Sequence, residues 1–257
     1  MLSCETVVYQ KENRIGTITL NRPQAGNTIN AQLAEELNDI CSRINQDDVS
    51  VVIITGAGGV FSIGIDRGEF LDVISEEGTK VPPSVATAVA KLNPPVIAAI
   101  NGDALGQGLE LALACDLRVV AELARFGFPH TTEDVATPWD GGTQRLPRLV
   151  GKSKAIEMIL LGEFIDAREA YRIGLVNKIV SPKELIPIVT DMAQVMASKA
   201  PLALKYAKEA IHKGLELPLH QALHFEADLY LLLQTTDDRT EGIRAFREKR
   251  TPQFKGK

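Results

Sequence analysis

The apolar positions at the start of the chain follow the two-residue repeat of β-strands. Residues 6–11 and 15–21 alternate β-branched with polar residues, and the polar turn Glu12-Asn13-Arg14 separates them, so we predict a hairpin. The next segment, Ala31–Ile44, changes to helical spacing with its apolar residues on one face. Asn30 precedes it and is a residue type that caps helices. A helix is therefore expected to follow the hairpin.

Continuous apolar runs that end in glycine indicate buried strands further along the chain. Residues 51–55 are mostly β-branched and lead into Gly56-Ala57-Gly58-Gly59, and Val96–Ile100 leads into Asn101-Gly102. A helical stretch at 109–114 and a strand at Leu117–Ala121 follow. This recurrence of strand, loop and helix predicts an α/β fold in which the carboxyl ends of the strands open onto functional loops.

The last part of the chain is predicted to be helical. After Gly151 only residues 176–180 resemble a strand, and three helices are expected over 201–213, 217–233 and 238–250. Three helices are too few to enclose a core of their own, so they are expected to cover the main domain or a neighbouring subunit. We predict a core domain at 1–199 and a C-terminal helical region at 200–257.

Composition and charge exclude several classes of protein. The 257 residues are 45% hydrophobic and 24% charged, and the net charge of −5 comes without a basic stripe, so a nucleic acid is not expected as a partner. Apolar runs such as 94–100 are too short to cross a membrane, and the first residues lack a signal-peptide pattern, which predicts a cytoplasmic protein. The spacing of Cys4, Cys41 and Cys115 indicates neither disulfides nor a zinc site, and no metal is predicted.

Two glycine-containing loops are the candidate sites of chemistry. One spans residues 61–66 and the other 101–110, and each follows a predicted strand. Glycines let backbone N–H groups face a ligand, and a helix N-terminus favours a negative charge. The alternative interpretation is a pair of tight turns without a ligand. A dinucleotide site is not supported, because Gly102, Gly106 and Gly108 do not have the required spacing.

These loops and several other segments resemble the crotonase (enoyl-CoA hydratase/isomerase) superfamily in their order along the chain. The segments are Leu20-Asn21-Arg22-Pro23, Val52-Ile53-Ile54-Thr55-Gly56, Phe61-Ser62-Ile63-Gly64-Ile65-Asp66, Pro95-Val96-Ile97-Ala98-Ala99-Ile100-Asn101-Gly102, Gly141-Gly142-Thr143-Gln144-Arg145-Leu146, Asp237-Asp238-Arg239-Thr240-Glu241-Gly242 and Phe246-Arg247-Glu248-Lys249-Arg250. The resemblance implies a spiral of ββα units and a C-terminal helical region that packs in a homotrimer or a hexamer (dimer of trimers). It also implies an acyl-CoA substrate, with no cofactor besides the coenzyme A of that substrate.

The same resemblance implies roles for individual residues of the two loops. The N–H groups of Ile63 and Gln107 are expected to form an oxyanion hole, although the family usually has glycine at the position of Gln107. Glu110 matches the first of two catalytic glutamates and could activate water as a general base. The alternative for Glu110 is a surface carboxylate stabilised by the helix dipole.

Three further residues near these loops are expected to contact the substrate. They are Ile65, Asp66 and Gly106.

The second catalytic glutamate of family hydratases is absent. The sequence Phe126-Gly127-Phe128-Pro129-His130 places a histidine there, and Glu133 or Asp134 is the alternative acid.

Together with the later Pro138-Trp139-Asp140-Gly141, His130 partly resembles the 6-oxocamphor hydrolase type, which cleaves cyclic β-diketones. Asp140 could then orient the ring of His130, or it could instead cap the helix at 143–149. Trp139 is expected to line the pocket.

The sequence thus predicts an enzyme that acts on an acyl-CoA thioester through a stabilised enolate, by hydratase or isomerase chemistry with an atypical second acid or base. The rival enzyme is a C–C (retro-Claisen) hydrolase of a cyclic β-diketone or of a ring-bearing acyl-CoA. A non-enzymatic rival is an RNA-binding protein with the same fold, against which the acidic charge and Glu110 count.

Overall fold

The computed structural model describes residues 2–69, 84–129 and 138–257, and a seven-stranded sheet forms its centre. Two antiparallel pairings join β1 (Leu2–Ser3), β2 (Val7–Glu12) and β3 (Ile15–Leu20). From β3 onwards the pairing is parallel, and the sheet continues through β4 (Val51–Gly56), β5 (Val96–Ile100), β7 (Leu117–Ala121) and β10 (Lys178–Val180). The carboxyl ends of β4 and β5 therefore meet at one edge, where the two glycine-containing loops begin.

The hairpin predicted at the start of the chain is present, and its turn explains the polar residues between the strands. Asn13 and Arg14 both have positive φ, at 48° and 65°. This turn conformation matches the twist of the two flanking strands.

The continuous apolar run of β4 is buried on both faces of the sheet. Val52 and Ile54 belong to a large core, which also contains the buried face of α1 (Ala31–Ile44). Val51 and Ile53 face a second, smaller core under α7 (Leu185–Ala197). Burial on both sides is why the strand shows no alternation of polar and apolar residues.

Helix α1 begins as its sequence predicts. The Asn30 side chain accepts a hydrogen bond from the Leu33 N–H at 3.0 Å, which satisfies one of the free donors of the first turn.

A second sheet of three short strands lies beside the two loops, and the sequence pattern did not predict it. It consists of β6 (Ala104–Leu105), β8 (Arg125–Gly127) and β9 (Ile165–Asp166), with β8 in the middle. Strands of two or three residues are too short to show a period. In the described part of the chain, five further helices follow α1 before α7. They are α2 (Ala86–Ala90), α3 (Gln107–Ala114), α4 (Gly142–Val150), α5 (Lys152–Leu161) and α6 (Ala167–Arg172).

The three C-terminal helices are present close to their predicted bounds. They are α8 (Pro201–Gly214), α9 (Leu219–Gln234) and α10 (Asp237–Glu248). Helix α8 is held to the core by Asp116, whose carboxylate lies 2.8 Å from Lys208 Nζ and 2.8 Å from His212 Nε2. Burial alone would raise the pKa of Asp116, but the His212 hydrogen bond and the Lys208 charge outweigh it and lower that pKa.

The C-terminal helices bury little apolar surface within one chain. Leu215, which follows α8, and Phe246 of α10 are 83% and 85% exposed. Several large apolar side chains of α9 are more than half exposed as well. None of the helices described is at once long enough and apolar enough to cross a bilayer.

Cys41 and Cys115 are buried free thiols, and burial raises the pKa of each to about 12.

Candidate active site

The two glycine-containing loops lie against each other. Ser62 donates its N–H to the Asp103 carbonyl oxygen at 3.1 Å and accepts the Leu105 N–H at 2.9 Å. Gly108, in the first turn of α3, permits this approach, because a Cβ atom there would lie 2.4 Å from the Ser62 carbonyl oxygen. The relative position of the loops is therefore fixed by direct backbone contact.

The N–H of Ile63 is engaged in the framework of the first loop. It donates to the Gly26 carbonyl oxygen at 3.1 Å, so it is not available to bind a substrate oxygen. The prediction that placed Ile63 in an oxyanion hole is wrong on this point. Sequence spacing identified the loop, but the direction of each N–H depends on which neighbouring segment pairs with it.

Ile65, two residues further on, presents its N–H in a different direction. Ile29 donates to the Gly64 carbonyl oxygen and accepts the Asp66 N–H, so Ile65 forms a parallel bridge with Ile29. In such a bridge the N–H of the bridged residue faces away from its partner strand. Among the described residues, no acceptor for the Ile65 N–H is present.

Gln107 is the first residue of α3. The N–H groups of the first helical turn are not used inside the helix, and they carry the positive end of its dipole. Gly106 makes the sharp entry to the helix with φ 50° and ψ −125°, and it donates its N–H to Gly127 at 2.9 Å. Gly106 thus shapes the entry of the chain into α3 at Gln107.

Glu110 lies one turn further into α3 and is a buried carboxylate, not a surface one. Only 1% of it is exposed. Its Oε1 accepts the N–H of Asp140 at 2.9 Å and the N–H of Gly142 at 2.7 Å. No described residue donates to Oε2. The carboxylate is therefore anchored through Oε1.

The surroundings of Glu110 favour its protonated form. Burial, the largest cause, raises the pKa of Glu110 from its ordinary value of 4.5 to about 7, and the negative charge of Asp140 adds to the increase. The two N–H donors and the positive charge of Arg145 act in the opposite direction. A carboxyl group with a pKa near neutrality can both accept and return a proton.

Asp140 is 4% exposed, and both oxygens of its carboxylate accept hydrogen bonds. Oδ1 accepts the Ser84 hydroxyl at 2.5 Å, and Oδ2 accepts the N–H groups of Val85 and Ala86, each at 2.9 Å. Asp140 therefore caps the start of α2. The predicted alternative, a cap on the helix at 143–149, is wrong, because that helix begins at Gly141 and Gly142 without a side-chain cap.

The remaining predicted site residues fall into two groups. His130, Glu133 and Asp134 lie outside the described residues. Asp66 forms an ion pair with Arg22 at 2.9 Å; burial raises its pKa, but the Arg22 hydrogen bond and charge lower it overall. Trp139 is partly buried directly before Asp140.

Sequence reasoning missed three residues that shape the site. Ser84 binds Asp140, and Arg145 donates to the Asp140 carbonyl oxygen at 2.8 Å. Gly142 leaves room for the carboxylate, because a Cβ atom there would lie 2.9 Å from Glu110 Oε1. The paired glycines Gly141-Gly142 were the only local signal for this close approach.

Comparison with known proteins identifies the family to which this chain belongs. The model of the enoyl-CoA hydratase/isomerase family matches residues 10–257. The chain is 39% identical over 258 residues to crotonyl-CoA hydratase of Syntrophomonas wolfei, covering 98% of this chain and 99% of the relative. It is 40% identical over 253 residues to 2,3-dehydroadipyl-CoA hydratase of Escherichia coli, with 98% and 99% covered.

Solved structures give the same result. The crystal structure of enoyl-CoA hydratase from Bacillus anthracis matches with a TM-score of 0.90 at 38% identity, covering 98% of this chain and all of that one. This chain belongs to the enoyl-CoA hydratase/isomerase family, and the predicted crotonase fold is confirmed. The partial resemblance to 6-oxocamphor hydrolase stays a prediction. Within the described ranges no group of three or more His, Cys, Asp or Glu residues is arranged to hold a metal.

Proposed function

We propose that this enzyme adds water to the double bond of a 2-enoyl-CoA thioester, with Glu110 as the general base. The observation that carries the proposal is the buried Glu110 carboxylate, anchored through Oε1 and with a pKa of about 7, one helical turn from the Gln107 N–H. Relatives named crotonyl-CoA hydratase and 2,3-dehydroadipyl-CoA hydratase support the reaction class.

In the proposed reaction, Glu110 takes a proton from water as the water oxygen bonds to the β carbon. The electron pair of the double bond moves towards the thioester, and a negative charge develops on its oxygen. A proton then reaches the α carbon, which completes the addition of one water molecule. Isomerisation would use the same enolate, but would begin with removal of a carbon-bound proton.

The developing oxyanion is proposed to bind between the N–H groups of Gln107 and Ile65. The loop contacts through Ser62 support this pairing, as does the direction of the Ile65 N–H away from Ile29. Losing one donor of such a pair typically costs about 3–4 kcal/mol of transition-state stabilisation. Ile65, Asp66, Gly106 and Trp139 are proposed to border the substrate.

A second proton donor is proposed to come from His130, with Glu133 or Asp134 as the alternative. A positioned acid contributes about 10²–10⁴-fold to turnover. We expect His130→Ala to reduce turnover by that factor and His130→Glu to restore hydration, because it recreates a carboxyl acid. Near-normal turnover in His130→Ala would exclude the histidine and move the role to Glu133 or Asp134.

The proposed function is tested by incubating the enzyme with crotonyl-CoA and measuring 3-hydroxybutyryl-CoA. Glu110→Gln is the matched variant, because its amide oxygen can still accept the two N–H groups that hold Oε1. We expect a loss of about 10²–10⁴-fold in turnover for Glu110→Gln. Since the base acts when ionised, kcat/KM of the native enzyme should rise with pH through about 7.

Two results would contradict the proposal. One is full hydratase activity in Glu110→Gln. The other is absence of hydration together with cleavage of a cyclic β-diketone or of a ring-bearing acyl-CoA, which would identify a C–C hydrolase. A 3-enoyl-CoA substrate tested in parallel separates isomerase activity from hydration.

Self-association into a trimer, or into a dimer of trimers, is also proposed. Its support is the apolar surface of the C-terminal region, including Leu215 and Phe246, which is exposed to water in a single chain. Association would bury that surface. Light scattering over micromolar concentrations tests this, and a monomer throughout would contradict it.

A further inference from the structure

Asp140 connects the Glu110 carboxylate to a distant segment of the chain. Its own N–H donates to Glu110 Oε1 at 2.9 Å, and its carboxylate accepts hydrogen bonds from Ser84, Val85 and Ala86, some 55 residues earlier in the sequence. One residue therefore binds the general base through its backbone and the start of α2 through its side chain.

The hydrogen bonds of Asp140 are those of a structural clamp. Both carboxylate oxygens already accept donors, and Gln107 Nε2 lies 3.3 Å from Oδ2 as a further donor. Val85 and Ala86 are fully buried, so this side of the clamp is fixed in the core.

We infer that Asp140, together with Ser84, is a positioning residue that holds Glu110 in place and acts only through it. This inference rests on the proposed role of Glu110 as the base. The physical reason is that the Asp140 N–H is one of two donors on Glu110 Oε1, and its position depends on the side-chain anchor. A displacement of about 1 Å at a reacting group can cost about 10²-fold in rate.

Two substitutions of Asp140 separate the effect of its charge on Glu110 from its effect on the position of Glu110. In Asp140→Asn the amide oxygen can still accept the Val85 and Ala86 N–H groups, while its NH₂ can donate to the Ser84 hydroxyl. Asp140→Ala removes the anchor altogether. The described charged groups that act on Glu110 are Asp140 and Arg145, so removing the Asp140 charge should shift the acid limb of the pH–rate profile to lower pH.

The experiment measures crotonyl-CoA hydration by these two variants, alone and combined with Glu110→Gln. We expect Asp140→Ala to lower kcat by about 10²-fold with little change in KM, and Asp140→Asn to retain at least tenfold more activity than Asp140→Ala. In the Glu110→Gln background, Asp140→Ala should lower kcat by less than about twofold, because the group it positions is already inactive.

Ser84→Ala serves if Asp140→Ala does not fold, since it removes only one hydrogen bond of the clamp. We expect about a fivefold lower kcat with Glu110 present and no effect in Glu110→Gln. Three results would overturn the inference: equal losses in Asp140→Asn and Asp140→Ala, a full further loss in the Glu110→Gln background, or wild-type kcat in Ser84→Ala. Full activity of Glu110→Gln alone would instead refute the proposed function.

Discussion

Replacing Glu110 with Gln is expected to stabilise the fold at alkaline pH while removing activity. The pKa of Glu110 is about 7 in the folded chain, against an ordinary value of 4.5. Between these two values the folded state holds a proton that the unfolded state has lost, so stability falls as pH rises through this window. The loss is complete above pH 7 and absent below pH 4.5.

The magnitude follows from the two pKa values. One pKa unit corresponds to about 1.4 kcal/mol, so ionised Glu110 costs the folded state about 3 kcal/mol at pH 9. About 2.5 kcal/mol of this cost develops between pH 5 and pH 9. Gln resembles the protonated carboxyl in shape and has no charge, so the variant avoids the cost. The difference in free energy of unfolding between Glu110→Gln and the native enzyme should therefore grow by about 2.5 kcal/mol over that range.

Urea unfolding at pH 5, 7 and 9, followed by circular dichroism, measures this difference. Both proteins must be compared at one protomer concentration, because association shifts apparent stability. The melting temperature at pH 9 should rise by roughly 5–10 °C. A difference that does not change with pH, or a variant less stable at pH 9 than the native enzyme, would refute the reasoning about the buried carboxylate.

Three other substitutions test separate parts of the structure. Gly142→Ala places a Cβ atom 2.9 Å from Glu110 Oε1 and should lower kcat by about 10²-fold with an unchanged circular dichroism spectrum; near-native kcat would contradict the close approach. Lys208→Met leaves Asp116 without its ammonium partner and should lower the free energy of unfolding in urea by about 2 kcal/mol at pH 7. The loss should be smaller at low pH, where Asp116 is protonated, and a loss that does not change with pH would count against the ion pair. Asn30→Ala removes the cap of α1 and should cost about 1 kcal/mol, whereas Asn30→Asp should keep most of the stability; equal losses in both would show that the cap is not the cause.

Local patterns were sufficient for most of the fold. The buried strand at β4 and the capped helix α1 each follow from residues close in sequence, whose spacing and side-chain type determine their backbone conformation. Glu110 was assigned as the base from its match to the first catalytic glutamate of the resembling family, and the glycine loop before it placed it in the first turn of α3. The short strands β6, β8 and β9 were missed, since two or three residues carry no period.

The directions of the groups in the site were decided by tertiary structure. The family resemblance of its loop assigned Ile63 to the oxyanion hole, but its N–H donates to the Gly26 carbonyl oxygen. Only the pairing of the loop with neighbouring segments determines this. One alternative for Asp140 was a cap on the helix at 143–149, yet its carboxylate binds Ser84 and the start of α2. Its predicted pairing with His130 stays a prediction, because His130 lies outside the described residues.

The sequence by itself determined which elements form, because these depend on neighbouring residues. It also placed the Glu110 carboxylate directly after the glycine-containing loop. Only the tertiary structure decided which donors meet which acceptors. Hydrogen bonds between segments some 55 residues apart leave no period in the chain. The raised pKa of Glu110 likewise arises from burial by distant parts of the molecule, and this is the property on which its proposed chemistry depends.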